Sequence, residues 1–137
     1  MNIWHIHSKV WPSIRLWRID NENFQVNEKG IVAAILTNPT YSIIDDKYSH
    51  LLSKLSGEVT FHKIKIFDFV LKAEYHNYIE LNIENSISPD NIKDKSSAGK
   101  KIWKYGGEVF VSGELKDEFL KISRHDFKFD PGFSFFG

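Results

Sequence analysis

Residues 106–136 read GGEVFVSGELKDEFLKISRHDFKFDPGFSFF, and within that stretch the apolar period changes from that of a strand to that of a helix and back. Gly106 and Gly107 interrupt what precedes, Val109 and Val111 alternate about Phe110 as a buried strand would, and Ser112 with Gly113 stops the run. Leu115, Phe119 and Ile122 then recur at i, i+4 and i+7. Lys116, Asp117, Glu118 and Lys121 fall on the opposite face, so the spacing predicts an amphipathic helix over 113–123. Ser112 is placed to cap it, with Glu114 near the positive end of the helix dipole. Phe127 and Phe129 share one face of a further strand, Asp130-Pro131-Gly132 turns the chain, and Phe133, Phe135 and Phe136 follow. One helix and two short strands cannot bury that many aromatics, so the rest of the chain is expected to supply a sheet that covers them.

Working outward, 137 residues fit a single domain, 1–137, with a real core. Hydrophobic residues are 42% and aromatics 15%, too apolar for intrinsic disorder, and no apolar run approaches the roughly 20 residues of a membrane span. A soluble protein without membrane association is expected. No secretory leader is visible and there is no cysteine, which points to a reducing cytoplasm. Eighteen basic residues balance eighteen acidic ones, so net charge advertises neither general nucleic-acid nor membrane binding.

From the start of the chain, Trp4, Ile6 and Val10 alternate with His5, His7 and Lys9 as a half-buried strand over 4–10, which Pro12 ends. Ile14, Leu16, Trp17 and Ile19 form a second apolar run, and the polar turn 20–23 leads to Phe24 and Val26 as in a hairpin. The apolar run 31–36 reads as a strand closed by Asn38-Pro39. A helix over 46–56 follows, capped by Asp45 or Asp46, faced by Tyr48, Leu51, Leu52 and Leu55, and stopped at Gly57. Residues 59–69 are β-branched and aromatic. Residues 73–83 alternate longest, with Tyr75, Ile79, Leu81 and Ile83 on one side and Glu74, His76, Tyr78, Glu80 and Asn82 on the other. One wet face favours antiparallel pairing, so the expected fold is α+β: a mainly antiparallel sheet with two short amphipathic helices packed on it. Residues 84–101 read as a long polar loop, with or without a short helix. A weak echo links 52–61, LSKLSGEVTF, with 120–129, LKISRHDFKF, each running from a helix end into a strand.

Chemical motifs are scarce. His5 and His7 share a strand face with the spacing of two metal ligands, but the sequence names no third, and surface histidines are the plainer reading. There is no nucleophile elbow, no zincin helix and no phosphate-binding glycine loop, so no catalytic, cofactor-binding or metal residue is assigned, no cofactor is expected, and the chain is read as a non-enzyme. His125-Asp126 beside Arg124 reads as a turn with solvated charges. Trp4, Trp11 and Trp17 interleave with Lys9, Arg15 and Arg18 in a start free of acids, as in single-strand stacking platforms and also in sheet cores with snorkelling arginines. A small nucleic-acid- or ligand-binding α+β domain is therefore the alternative function, although the neutral net charge argues against direct nucleic-acid binding.

From Tyr78, the run YIELNIENSISPDNIKDKSSAGKKI and then GGEVFVSGELKDEFLKISRHDFKF resemble the C-terminal half of the eleventh class of immunity proteins from bacterial polymorphic toxin systems. Leu81-Asn82, the Asp90-to-Ser96 loop, Val111-Ser112 and Phe127-Lys128-Phe129 carry the resemblance, with His125-Asp126 standing where the family has glycine; it covers under half the chain. The resemblance implies a small cytoplasmic antitoxin-type protein of contact-dependent growth inhibition. Such a protein neutralises a cognate toxin domain, of a kind that includes nucleases, by direct binding. The expected partner surface joins the wet strand positions Glu74, His76, Tyr78 and Glu80 to Glu84, Asp90 and Asp94, with Trp103 and Tyr105 beyond; aromatics serve as anchors and acids as the rim.

Overall fold

The computed structural model describes residues 2–9, 14–28, 30, 32–95 and 99–134. The readings that fall on Val10, Trp11, Pro12, Ile31, Ser96, Phe135 and Phe136 lie outside the described residues. In chain order the elements are β1 (Ile3–Ser8), β2 (Arg15–Arg18), β3 (Asn23–Glu28), β4 (Ile35–Asn38) and β5 (Tyr41–Asp45). A 3₁₀ turn (Asp46–Tyr48) then runs into α1 (Ser49–Ser53), followed by β6 (Val59–Asp68), β7 (Ala73–Ile83) and α2 (Ile92–Lys95). β8 (Ile102–Tyr105), β9 (Glu108–Ser112), α3 (Gly113–Ile122) and β10 (Phe127–Pro131) complete the chain.

The strands form a four-stranded sheet of order β10-β1-β9-β8 and a six-stranded sheet of order β2-β3-β6-β7-β5-β4. Pairing is antiparallel except between β3 and β6, so the fold is α+β and mainly antiparallel as the alternation implied. One apolar core takes Ile6, Val109 and Val111 from the smaller sheet, Ile44, Ile79 and Leu81 from the larger, and Leu52, Leu115 and Phe119 from the helices. Because strand side chains alternate, the opposite face of each sheet needs its own cover. Ile43, Tyr78 and Ile64 pack beneath Leu16 and Phe24 of the β2–β3 hairpin on the larger sheet. Phe110 and Trp103 pack beneath Ile87 and Ile92 on the smaller.

The sequence echo has a topological counterpart. β4 and β5 recur as β8 and β9 with identical lengths at a shift of 67 residues (35 to 102, 41 to 108), each pair continuing directly into a helix. After the helix the shift becomes 68 (59 to 127), which is the insertion that obscured the repeat. In the larger sheet β7 lies between β5 and β6; in the smaller, β1 lies between β9 and β10. The registers coincide as well: His62↔Glu80 and Thr60↔Asn82 correspond to Asp130↔His5 and Lys128↔His7. Each half is thus the same four-stranded unit, and the smaller one is completed by the strand from the other end of the chain. The β2–β3 hairpin is an addition to the larger.

Several readings change. The helix over 46–56 is shorter, being a 3₁₀ turn and a five-residue helix; Asp45 is its cap, accepting from Lys47 N at 3.0 Å. Among the described residues of the run 31–36, strand begins at Ile35, while β5 and β8 were not anticipated. Helix α3 ends at Ile122 and Ser112 Oγ caps it, accepting from Leu115 N at 3.1 Å. No described helix is long and apolar enough to cross a membrane.

Candidate functional site

β7 carries the core of the surface expected from sequence, and its two halves differ. Glu74 and His76 are exposed at its start, 3.3 Å apart. Tyr78 is 3% exposed, its hydroxyl donating to the Ala33 carbonyl at 2.8 Å, and burial pushes its pKa well above the ordinary phenol value. Glu80 is 8% exposed and Trp103 only 1%. Tyr78 and Trp103 are therefore core residues and not anchors open to a partner. The alternation does not run the whole length of β7: its register with β6 shifts between Ile64 and Ile66, so Tyr75 shares the face of Tyr78 and lies opposite Ile79, Leu81 and Ile83. The β2–β3 hairpin with Val32 and Ala33 covers that face, and Ile87 and Ile92 cover Trp103. Glu84, Asp90 and Asp94 are exposed beyond the far end of β7. Ten residues of strand separate Glu74 from Glu84, about 33 Å. Tyr105 is partly exposed and meets Phe133 edge to face at 5.2 Å. The expected acids and aromatics do not converge on one surface.

What does converge around Glu80 is a polar cleft of about 530 Å³ on the larger sheet. Its floor holds Thr60, His62, Glu80 and Asn82 from β6 and β7. Arg18 and Asn21 of the added hairpin form one wall, and Lys104 with the β8–β9 turn forms the other. Arg18 grips Glu80 with both terminal nitrogens, Nη1 to Oε1 at 2.8 Å, and lies over the Phe24 ring. That hydrogen bonding holds the guanidinium pKa above its ordinary value. His62 Nε2 lies 2.6 Å from the Asn21 carbonyl and 3.4 Å from Glu80. A carbonyl only accepts, so Nε2 carries a proton.

Of the equivalent positions of the smaller sheet, the two on β1 are closed. His5 and His7 are buried, their rings 4.8 Å apart, and each is spent on a carboxylate: His5 on Glu108 at 2.9 Å, His7 on Asp130. Thr37 of β4 also donates to Glu108, tying the sheets together. The surface-histidine reading is thus corrected. Among the described residues no group of three or more His, Cys, Asp or Glu side chains is placed to hold a metal ion. Asp126 is also more than a solvated charge. It accepts from the Tyr48 hydroxyl at 2.6 Å and pairs with Lys47. Burial works to raise its pKa, but these hydrogen bonds outweigh burial and hold it below the ordinary value.

A second surface escaped the sequence reading. Phe69, Val70 and Leu71, read as the end of a strand and its sequel, form the turn between β6 and β7 and are 67%, 70% and 62% exposed. The turn is built to hold its shape. The buried Asp68 carboxylate accepts from Val70 N and Leu71 N, both at 3.0 Å, and Lys72 closes the loop in the left-handed region at φ 54°. Phe69 stacks on Phe67 at 6.2 Å. Trp17, Gln25, Phe67 and Glu74 stand in one row across β2, β3, β6 and β7, on the face of the added hairpin turned away from its core. With Ile19 exposed beside them, an apolar knuckle and its apolar flank form one end of the larger sheet. Comparison with known protein families, characterised proteins and solved structures returns no match. The sequence signal that could have flagged the knuckle is Asp68 followed by three large apolar residues with no glycine or proline to hide them.

Proposed function

We propose that this chain is a cytoplasmic protein of the toxin-immunity kind, which neutralises a cognate toxin domain by binding it and carries out no chemistry of its own. The observation that supports binding is the knuckle: three consecutive large apolar residues held rigid yet open to water, a cost to solubility that folding alone does not require. A preordered apolar protrusion binds without an ordering penalty and suits a concave apolar site on a partner. That the partner is a toxin follows from the resemblance of residues 78–129 to the immunity class. Of the expected partner residues, Glu74 and His76 flank the knuckle and retain a rim role; Glu84, Asp90 and Asp94 lie too far along β7 to share that contact.

The test is binding to the toxin domain encoded immediately upstream. The double variant Phe69→Ser, Leu71→Ser is expected to keep the wild-type denaturation midpoint, weaken binding by about a hundredfold through faster dissociation, and lose protection of cells. Wild-type affinity in that variant would reject the knuckle; no binding by the wild type would reject the toxin reading altogether.

A further inference from the structure

We infer that the polar cleft on the larger sheet is a binding site for a small anionic molecule, whose carboxylate or phosphate sits on Lys104 while Thr60 and Asn82 take its neighbouring polar groups. Three observations carry this, and none depends on the toxin reading.

The first is charge. Of the ionised groups lining the cleft, Arg18 and Glu80 neutralise one another in a two-pronged pair. Lys104, half-buried on the opposite wall, has no carboxylate within 4 Å among the described residues. One positive charge is therefore left facing an open polar cleft, where it can attract an anion.

The second is the internal repeat. Thr60, His62, Glu80 and Asn82 occupy the positions held by Lys128, Asp130, His5 and His7 in the other unit. There the histidines are buried and their carboxylates taken up, so the polar groups complete one another. Here Thr60, His62 and Asn82 remain exposed. On the central strand His7 is closed in one sheet while its counterpart Asn82 stays open in the other, so the opening there is not demanded by the unit's own folding; Lys128, like Thr60, is exposed.

The third is shape. A volume of about 530 Å³ lies within the range of small-molecule sites. Its far wall can approach closely only because residue 107 is glycine: a Cβ there would lie 1.6 Å from the Asn38 carbonyl oxygen. The β8–β9 turn is thereby locked against the β4–β5 hairpin, with Ser42 Oγ donating to the Gly107 carbonyl at 2.5 Å, and the wall is preformed.

The probes are inorganic phosphate and citrate, titrated into the ¹⁵N-labelled full chain at constant ionic strength. Saturable shifts are expected at the amides of Ser42, Lys104, Gly106 and Gly107. Lys104→Met should weaken the affinity about tenfold or more while leaving the rest of the spectrum in place. Lys128→Met, at the position of the smaller sheet that corresponds to Thr60, should change nothing. Shifts that grow linearly without saturating, that saturate elsewhere, or that persist unweakened in Lys104→Met would overturn the assignment. Because Asn82 is exposed, Asn82→Ala serves as a second variant that keeps the fold, with a loss of about threefold or more expected.

Discussion

Glu80 and Glu84 sit four residues apart on the same chain segment, yet charge reversal should affect them in opposite ways. Glu84→Lys changes an exposed carboxylate and is expected to shift stability by less than about 0.5 kcal/mol. Glu80→Lys removes the partner of Arg18 from a nearly buried position and is expected to cost about 2 to 3 kcal/mol in a urea titration. Asp126 makes the corresponding prediction for pH. Its pKa is depressed in the folded state, so the stability it contributes is present above the ordinary aspartate value and is lost as pH falls through that value toward the folded one. Below about pH 4 the wild-type midpoint should fall more steeply than that of Asp126→Asn, as read by thermal melts across the acid range. Equal slopes would mean that the Tyr48 and Lys47 contacts contribute nothing to the acid limb.

At the level of the element, α3 is the part that the sequence determined most fully. Its period and its cap are local, and Leu115 and Phe119 lie where the apolar stripe put them, Phe119 at 5.2 Å from Tyr48 and 5.5 Å from Phe127 between ring centres, while Ile122 at the end of the stripe is exposed. Phe119→Ala is expected to cost about 3 to 5 kcal/mol, and Ser112→Ala about 1 kcal/mol, in denaturant titrations. Gly107→Ala, which forces a Cβ into the Asn38 backbone, should cost about 3 kcal/mol. The failures have a common origin. Whether Tyr78 and Trp103 face water depends on Leu16, Phe24, Ile87 and Ile92, which come from distant segments, and no alternation within β7 or β8 records their arrival. The cleft was illegible for the same reason, since its walls come from five separate stretches of chain. Residues 69–71 were misread for a local reason: a turn made by an aspartate and a positive-φ lysine lacks the glycine and proline that usually mark one.

At the level of the whole molecule, the repeat makes a prediction about connectivity. Gly132 N donates to the Ile3 carbonyl at 2.8 Å, so the end of β10 and the start of β1 meet where β6 and β7 are joined by their turn. A permutant that links residue 132 to residue 2 by a short loop and opens the chain between residues 99 and 100 would place both units in consecutive order. It is expected to fold with a thermal midpoint within a few degrees of the parent, since every strand pair is kept. Loss of the cooperative transition would show that the two units are not interchangeable in their connections.

The position of β1 also sets a timetable for biosynthesis. Trp4 pairs with Val111 and Pro131, so β1 leaves the ribosome with both of its neighbours more than a hundred residues downstream. At about 5 to 20 residues per second, it waits roughly 6 to 25 s for both of them. Meanwhile the unit of β4 to β7 holds all its strands and can close as it emerges, presenting Ile44, Ile79 and Leu81 as a ready apolar face. The unit of β4 to β7 therefore assembles ahead of its flanks, and β1, made before it, is seated after it.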